Sequence, residues 1–289
     1  MRNQVFESNY KKFGMIQLNQ QTLDHVNTAQ YKPYIKVLYL PAGYALTVDF
    51  RQFTTTQPSL FFIHFNQHIQ IEKAGKQPGY FIYYNRDFYC VQIHDEEVAC
   101  DGLLFNNIYN QPMTELPPRE DKIVTEAFGE ISAELDSEES TREEMIRTYL
   151  KQVIIRATRL WKQQQLGSLE SAPSAEIEFF RHFSRLVDIH FREKHGVMDY
   201  ADLLAIAPKT LSKKFNKLNL SQPNDIIKDR ILLEAKRLLV YSSLSIKEIA
   251  YNLGYDDPAY FNRLFTNRIG ATPAAFRKQY NGTREVISE

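Results

Sequence analysis

The pattern of apolar residues changes character along the chain. In the N-terminal part, apolar and polar residues alternate over short segments that Gly and Pro interrupt, which is typical of β-strands. From residue 119 onward, apolar residues recur every three to four positions, which predicts helices. Strands are predicted over residues 34–40, 44–51, 60–65 and 80–84, and the polar residues 1–30 are expected to form an arm or weak strands. The fold class is therefore predicted to be α+β, with an all-α C-terminal part.

Two helices are predicted to close the N-terminal part. The first covers residues 119–135, and the second runs from a capping-box pair, Ser140 and Glu143, to about residue 165. The apolar stripe of the second helix must be buried, either against the strands or against a second copy of the chain. Gly, Ser and Pro in residues 167–175 then predict a short linker, and a helix over residues 176–193 follows it.

The most informative stretch lies near the C-terminus, where local chemistry places two helices around a turn. Ser245 and Glu248 have capping-box spacing and begin the first helix, which ends at Gly254. Asp257 is the expected N-cap of the second helix, with Pro258 in its first position. Two short helices around a Gly turn, the second with a polar face, indicate a helix-turn-helix unit over residues 246–268.

The same pattern occurs once more, 50 residues earlier, over residues 199–218. Pro208 corresponds to Pro258 and Phe215 to Phe265, but the upstream helix is offset by one residue. The turn in the first copy is therefore predicted to be one residue shorter. Repetition of a whole supersecondary unit favours two related functional units, and the alternative is a helical bundle that repeats for packing reasons.

These residues carry a resemblance to a known family. The stretch I-A-x-x-L-G-Y-x-D-x-x-Y-F-x-R-x-F, followed by G-A-T-P-x-x-F-R, resembles the second helix-turn-helix of the AraC/XylS family of bacterial transcription regulators. Residues 200–215, Y-A-D-L-L-A-I-A-P-K-T-L-S-K-K-F, resemble the first one, and R-I-L-L-E-A-K-R-L-L at residues 230–239 resembles the connecting helix. The resemblance covers about residues 177–280. The first unit departs from the family pattern at Lys214, Leu220 and Gln222, where an apolar residue, a Gly and a Ser are commoner.

The resemblance implies a domain organisation. Residues 1–166 would form a cupin-like jelly roll for sensing or dimerisation, with strands to about residue 118 and helices over 119–166. Residues 167–175 would be a linker. Residues 176–289 would form the DNA-binding domain, with both units on one rigid module that reads adjacent segments of the major groove.

Candidate DNA contacts lie at the N-terminal and outward positions of the two recognition helices. In the second unit they are Ala259, Tyr260, Asn262 and Arg263. In the first they are Lys209, Thr210, Ser212 and Lys213. Arg263 is the foremost candidate because a guanidinium can bond O6 and N7 of guanine together. Lys214 and Lys217 are expected to meet phosphate. The alternatives are that Tyr260 belongs partly to the core and that the lysines are solvated.

Charge and cysteine content narrow the class of protein. The formal net charge is zero, but residues 176–289 carry +4 and residues 1–175 carry −4, which places the positive excess on the predicted DNA-binding half. Cys90 and Cys100 match neither a zinc site nor a disulfide framework. Without an apolar signal core or a window of about 20 apolar residues, no membrane association is expected, and the protein is predicted to be cytoplasmic.

A metal site in the β-rich part is an alternative interpretation. His64, His68 and Glu72 are spaced by four, so a continuous strand would place them on one face. The close His pair usual in cupin enzymes is missing, so polar rim residues are the favoured interpretation and no metal or other cofactor is predicted. With no Gly-rich phosphate loop and no nucleophile–base arrangement, the chain is not expected to be an enzyme.

The sequence thus predicts a transcription regulator controlled by a small molecule or a partner at the N-terminal domain. Expected partners are duplex DNA, a small-molecule effector, a second copy of the chain and, for an activator, RNA polymerase. Two alternatives stay open: a ligand-independent regulator whose N-terminal domain only dimerises, and a cupin metalloenzyme fused to a DNA-binding module.

Overall fold

The computed structural model describes residues 3–65, 67–89, 104–105, 113–165, 174–217 and 221–285. The chain divides into two compact units, Met1–Ser171 and Ala172–Glu289. None of the described helices is long and apolar enough to cross a lipid bilayer.

The first unit combines antiparallel strands with two long helices. Its strands, within the described residues, are β1 (Asn3–Ser8), β2 (Lys11–Leu18), β3 (Ile35–Leu40), β4 (Ala45–Val48), β5 (Arg51–Thr54), β6 (Ser59–Ile63), β7 (Ile69–Lys73), β8 (Gly79–Tyr84) and β9 (Met113–Glu115). Its helices are the single turn α1 (Leu23–Val26), α2 (Pro118–Asp136) and α3 (Arg142–Gln165). Two short 3-10 turns, Gln20–Thr22 and Ala29–Tyr31, flank α1.

The strands form two antiparallel sheets. The larger has the order β1-β2-β8-β3-β6-β9, and the smaller has the order β5-β4-β7. Alternate residues of β3 enter two different cores: Leu38 and Leu40 pack towards the smaller sheet, while Val37 and Tyr39 pack towards α2 and α3. The larger sheet is therefore covered on both faces, which explains why β3 and β6 are buried along their whole length. A β-rich N-terminal domain of two sheets, followed by helices, is the predicted fold class.

The apolar stripe of α3 lies inside the first unit. Its residues are at most 3% exposed and pack with α2 and the larger sheet. They are Ile146, Leu150, Val153, Ala157 and Trp161. The stripe is consequently core of a single copy, and the interpretation of it as a dimer seam is wrong.

Three predictions for the first unit are corrected. Residues 44–51 are not one strand but the first arm and the turn of a hairpin, because Asp49 adopts a φ of +54° between β4 and β5. For residues 1–30, of which an arm or weak strands are expected, the arm is wrong and strands are present, since β1 and β2 belong to the larger sheet. Ser140 is not a helix cap, because α3 begins at Arg142.

The Glu143 carboxylate has a different role from the one predicted for it. It accepts from Lys11 Nζ on β2 at 2.7 Å and forms an ion pair with Arg147 one turn later. These cations lower the pKa of Glu143 although its burial acts in the opposite direction. The side chain thus joins α3 to β2 rather than closing a capping box.

The second unit is helical within its described residues. It contains α4 (Ser174–His190), α5 (Val197–Leu203), α6 (Pro208–Lys217), α7 (Pro223–Tyr241), α8 (Ile246–Asn252), α9 (Pro258–Ile269) and α10 (Pro273–Glu285). Helix α4 begins inside the predicted linker, so residues 174 and 175 are helical, and residues 167–173 lie outside the described part of the chain. The long helix α7 packs against α5, α6, α8 and α10 and forms the centre of the unit.

Candidate DNA-binding surface

The pair α8–α9 forms as the local sequence predicts. The Ser245 hydroxyl accepts from the Glu248 amide at 3.2 Å, and the Glu248 carboxylate accepts from the Ser245 amide at 2.7 Å. Gly254 takes a φ of +79° in the turn. Asp257 caps α9 by accepting from the amides of Ala259 at 2.8 Å and Tyr260 at 3.1 Å. The capping box, the Gly turn and the N-cap are all confirmed.

The pair α5–α6 repeats this turn with poorer local chemistry. Ala205 takes a φ of +53°, where α8–α9 has Gly254. From these residues it is three positions to Pro208 and four to Pro258, so the predicted one-residue difference is confirmed. The residue before Pro208 is Ala207, which has no side-chain oxygen to cap α6. The turn before α6 therefore has a higher conformational cost than the turn before α9, because a residue with a Cβ adopts the left-handed conformation there. In addition, α6 lacks the side-chain N-cap that stabilises α9.

The turn between α8 and α9 also contacts the segment that leads into α5. His195, which precedes α5, donates from Nε2 to the Leu253 carbonyl at 2.9 Å and stacks on Tyr255 at 4.4 Å between ring centroids. A Cβ atom on Gly254 would lie 1.8 Å from the Arg192 carbonyl oxygen, so the two backbones touch here. Burial in this contact lowers the pKa of His195.

In the second helix-turn-helix pair, the predicted contact residues lie on the solvent side of α9. Ala259, Tyr260 and Arg263 are exposed, and Asn262 is half-buried. The buried side of α9 is formed by Phe261 and Phe265. The Tyr260 ring also leans on buried Tyr255, with 5.7 Å between centroids, so Tyr260 is both an outer residue and an edge of the core.

In the first helix-turn-helix pair, the exposed residues of α6 are Lys209, Thr210, Lys213 and Lys217. Ser212 is half-buried, and its hydroxyl donates to the Pro208 carbonyl of its own helix at 3.3 Å. Lys214 does not extend freely towards a phosphate as expected. Its Nζ lies 4.6 Å from the centroid of the Phe179 ring on α4, which explains how a cation fits where an apolar residue is usual.

A buried charge cluster fixes α4 to α7. The Glu234 carboxylate forms ion pairs with Arg192, Arg230 and Arg237 at 3.2–3.3 Å. Burial alone would raise the pKa of Glu234, but the arginines outweigh it and the pKa lies below its usual value. Arg230 also donates to Asp188 on α4 at 2.7 Å. The position and angle of α7, which supports both recognition helices, depend on these charges.

The first unit holds a polar group of a different kind. Lys36 on β3 is 1% exposed and pairs in register with Ile63 and Tyr83, which belong to the core between the two sheets. Its Nζ donates to the Lys32 carbonyl at 3.3 Å. Burial lowers its pKa to about 7, against the attraction of Asp49. Sequence reasoning missed this residue because it occupies one position of an otherwise apolar strand.

The proposed metal ligands are not brought together on one strand. His64 follows β6, His68 precedes β7, and Glu72 lies on β7, where its carboxylate accepts from the Thr47 hydroxyl at 2.5 Å. The premise that the three share one strand face is wrong because the chain turns between them. No group of three His, Cys, Asp or Glu residues placed to hold a metal occurs in the part of the chain that the structure describes.

Comparison with known proteins places these helices in a wider group. A sequence-family model described as a helix-turn-helix domain matches residues 200–279, which include both recognition helices. Regulatory protein PocR of Salmonella typhimurium is 25% identical over 187 residues, covering 65% of this chain and 57% of PocR. The arabinose operon regulatory protein of the same organism is 25% identical over 153 residues, covering 53% of this chain and 52% of its own length. The chain thus spans a little over half the length of each relative.

A solved structure also aligns with most of the chain. ToxT of Vibrio cholerae is 14% identical, with a TM-score of 0.41, over 93% of this chain and 98% of ToxT.

Proposed function

We propose that the chain is a member of the AraC/XylS family of bacterial transcription regulators, that it binds specific duplex DNA sites through both helix-turn-helix units and that it regulates transcription there. The observation that carries the proposal is the outward face of α9. Its first two turns present Tyr260 and the 70% exposed Arg263 side chain, while Phe261 and Phe265 anchor the opposite face. A recognition helix needs this combination to enter the major groove without losing its support.

The roles of the side chains follow from their chemistry. Arg263 would bond the O6 and N7 atoms of guanine, and Lys209 and Lys213 would contact bases in the first half of the site as point charges. Lys217, exposed at the end of α6, would meet phosphate and contribute salt-dependent affinity. Since Lys214 packs on Phe179, we assign it to the support of α6.

The test is selection of bound duplexes from a random library of about 30 base pairs, which spans about three helical turns, with the full chain at stated salt. Two preferred blocks about one helical turn apart are expected. Arg263→Ala should cost about 1–3 kcal/mol at the selected site and relax one base position in the second block. Arg268→Ala is the matched control, because it removes the same charge from the other end of α9, where Arg268 pairs with Asp225 at 2.7 Å.

Each outcome is informative. If Arg263→Ala and Arg268→Ala weaken binding equally and leave the base preference intact, the assignment of Arg263 to a base is wrong. If no duplex is enriched with or without candidate effectors, the proposal of sequence-specific binding fails. A repeat of the two-block site would support binding as a homodimer, which stays a prediction.

We further propose that a small molecule or partner at the first unit controls DNA binding. Support comes from Lys36, an amine inside an apolar core whose burial lowers its pKa, since such a group is costly for stability and is of the kind that binding sites retain. A panel of metabolites is screened by calorimetry on wild type and Lys36→Met. Heat that appears only with wild type supports the proposal, whereas silence across a broad panel favours the ligand-independent alternative.

The proposed function also implies a cellular location and a protein partner. Because the target is promoter DNA, we propose a bacterial cytoplasmic location. If the regulator activates transcription, RNA polymerase is the expected protein partner, and transcription in vitro from a selected site tests this directly.

A further inference from the structure

Asp257 contacts both the backbone and a side chain of the second recognition helix. Its Oδ1 accepts from the Ala259 amide at 2.8 Å, and its Oδ2 accepts from the Tyr260 amide at 3.1 Å. The same Oδ2 lies 3.9 Å from Arg263 Nη2. We infer that Asp257 is a positioning residue, which caps α9 and also orients the Arg263 guanidinium for guanine. This inference rests on the proposed function of Arg263.

The physical reason is that the Asp257 carboxylate has already lost its conformational freedom by capping α9. A surface ion pair contributes little stability, because two long side chains must be ordered to form it. Here the short carboxylate is already fixed by two backbone amides, so only the Arg263 side chain is ordered. The gain appears as a narrower range of guanidinium orientations before DNA arrives, which reduces the ordering cost of binding.

The hydrogen-bonding capacity of arginine allows both contacts together. A guanidinium has five N–H groups, and bonding to guanine O6 and N7 uses two of them. The others are left for the Asp257 carboxylate. Because that carboxylate repels phosphate, it also favours the guanine edge over a backbone oxygen as the second partner of Arg263.

The first helix-turn-helix pair, α5–α6, offers a contrast within the same chain. Lys213 corresponds to Arg263, and Ala207 stands before Pro208 where Asp257 stands before Pro258. The first recognition helix therefore has neither the forked cation nor the carboxylate that orients it. The inference predicts a sharper base preference in the second block of the DNA site than in the first.

The test uses Asp257→Asn in the full chain, because Asn is about as good an N-cap as Asp but carries no charge. Asn has one acceptor oxygen where Asp257 uses two, so the melting temperature should fall slightly. Preference for guanine over other bases at the Arg263 position should fall about two- to fivefold, the range of an exposed ion pair. Asp256→Asn is the matched control, since it removes the same charge one residue away from the cap. In an Arg263→Ala background, Asp257→Asn should have no further effect on that position.

The outcomes separate the inference from the function on which it rests. If Arg263→Ala loses the guanine preference and Asp257→Asn keeps it, the inference is overturned and the proposed function stands. If Asp257→Asn changes a neighbouring base in either background, Asp257 reads DNA itself and the inference is also overturned. If Arg263→Ala changes no base preference, both assignments of α9 fail together.

Discussion

The contact between Gly254 and Arg192 supports a sharp prediction, because the chain contains a matched control. Gly254 and Gly270 have nearly the same backbone conformation, with φ of +79° and +78°. A Cβ on Gly254 would meet the Arg192 carbonyl oxygen at 1.8 Å, whereas a Cβ on Gly270 would meet nothing within 4 Å. Replacing each glycine by alanine therefore separates the cost of the left-handed conformation from the cost of the close approach.

The magnitudes follow from these two terms. A left-handed conformation costs alanine about 1–2 kcal/mol, and the loss of glycine's freedom in the unfolded chain returns about 0.4–1 kcal/mol. Gly270→Ala should thus lower the free energy of unfolding by about 1 kcal/mol. Gly254→Ala should lose a further ~1–3 kcal/mol, because the added methyl forces two backbones apart.

The assay follows unfolding with two spectroscopic probes that report on different parts of the chain. The only Trp in the chain is Trp161, on α3 in the first unit, so its fluorescence follows that unit alone. Circular dichroism follows helix content and so includes the second unit. In denaturant titrations, Gly254→Ala should move the dichroism midpoint further than Gly270→Ala, and the Trp161 midpoint should stay fixed. Equal shifts for the two variants would refute the proposed backbone contact.

Three further predictions concern single side chains. Ala207→Ser should raise the stability of the second unit by about 1 kcal/mol in denaturant titrations, because it supplies the missing cap of α6, and an unchanged midpoint would contradict this. Burial lowers the pKa of Lys36 from 10.5 to about 7, so the unfolded chain binds the proton more tightly than the folded chain. The free energy of unfolding of the wild type, followed by Trp161 fluorescence, should therefore rise with pH between those two values. Lys36→Met should remove this rise. The pKa of Glu234 is lowered, so its contribution should be complete above about pH 4.5 and decline below it. Glu234→Gln should cost about 3 kcal/mol at neutral pH and flatten that acid limb, and an unaltered pH profile would argue against the cluster.

Local interactions explain which parts of the structure the sequence predicts. The caps made by Ser245 and Asp257 involve residues two or three positions apart, so nothing distant is needed to place them. The one-residue difference between the two turns is also visible as spacing. The family resemblance and the outward positions on α9 depend on the same short-range pattern, which is why the two helix pairs are predicted from the sequence.

Predictions fail where alternation or spacing continues through a change of direction. The alternating pattern of residues 44–51 runs on through Asp49, whose left-handed conformation turns the chain. His64 and His68 have even spacing but leave the strand that would align them. Glu143 has the correct spacing for a capping box, but its carboxylate accepts a hydrogen bond from Lys11 on β2 instead.

Side-chain contacts between residues that are far apart in the chain also could not be predicted from the sequence. The Lys214 side chain faces Phe179, 35 positions earlier, and His195 meets Leu253, 58 positions later. No periodicity connects such pairs. The Asp257–Arg263 contact could have been considered from the known N-cap, because the cap and the second turn of a helix lie close in space.

The contact between the α8–α9 turn and the segment before α5 has a consequence for avidity. If both recognition helices bind DNA as proposed, α7 and the contact between Gly254 and Arg192 hold them in one body. Binding of the second helix is then an intramolecular event at high effective concentration. That gain exists only while both halves of the DNA site face the protein together. One inserted base pair rotates the second half by about 34–36°, so the affinity should fall towards that of a single helix pair rather than by a small increment.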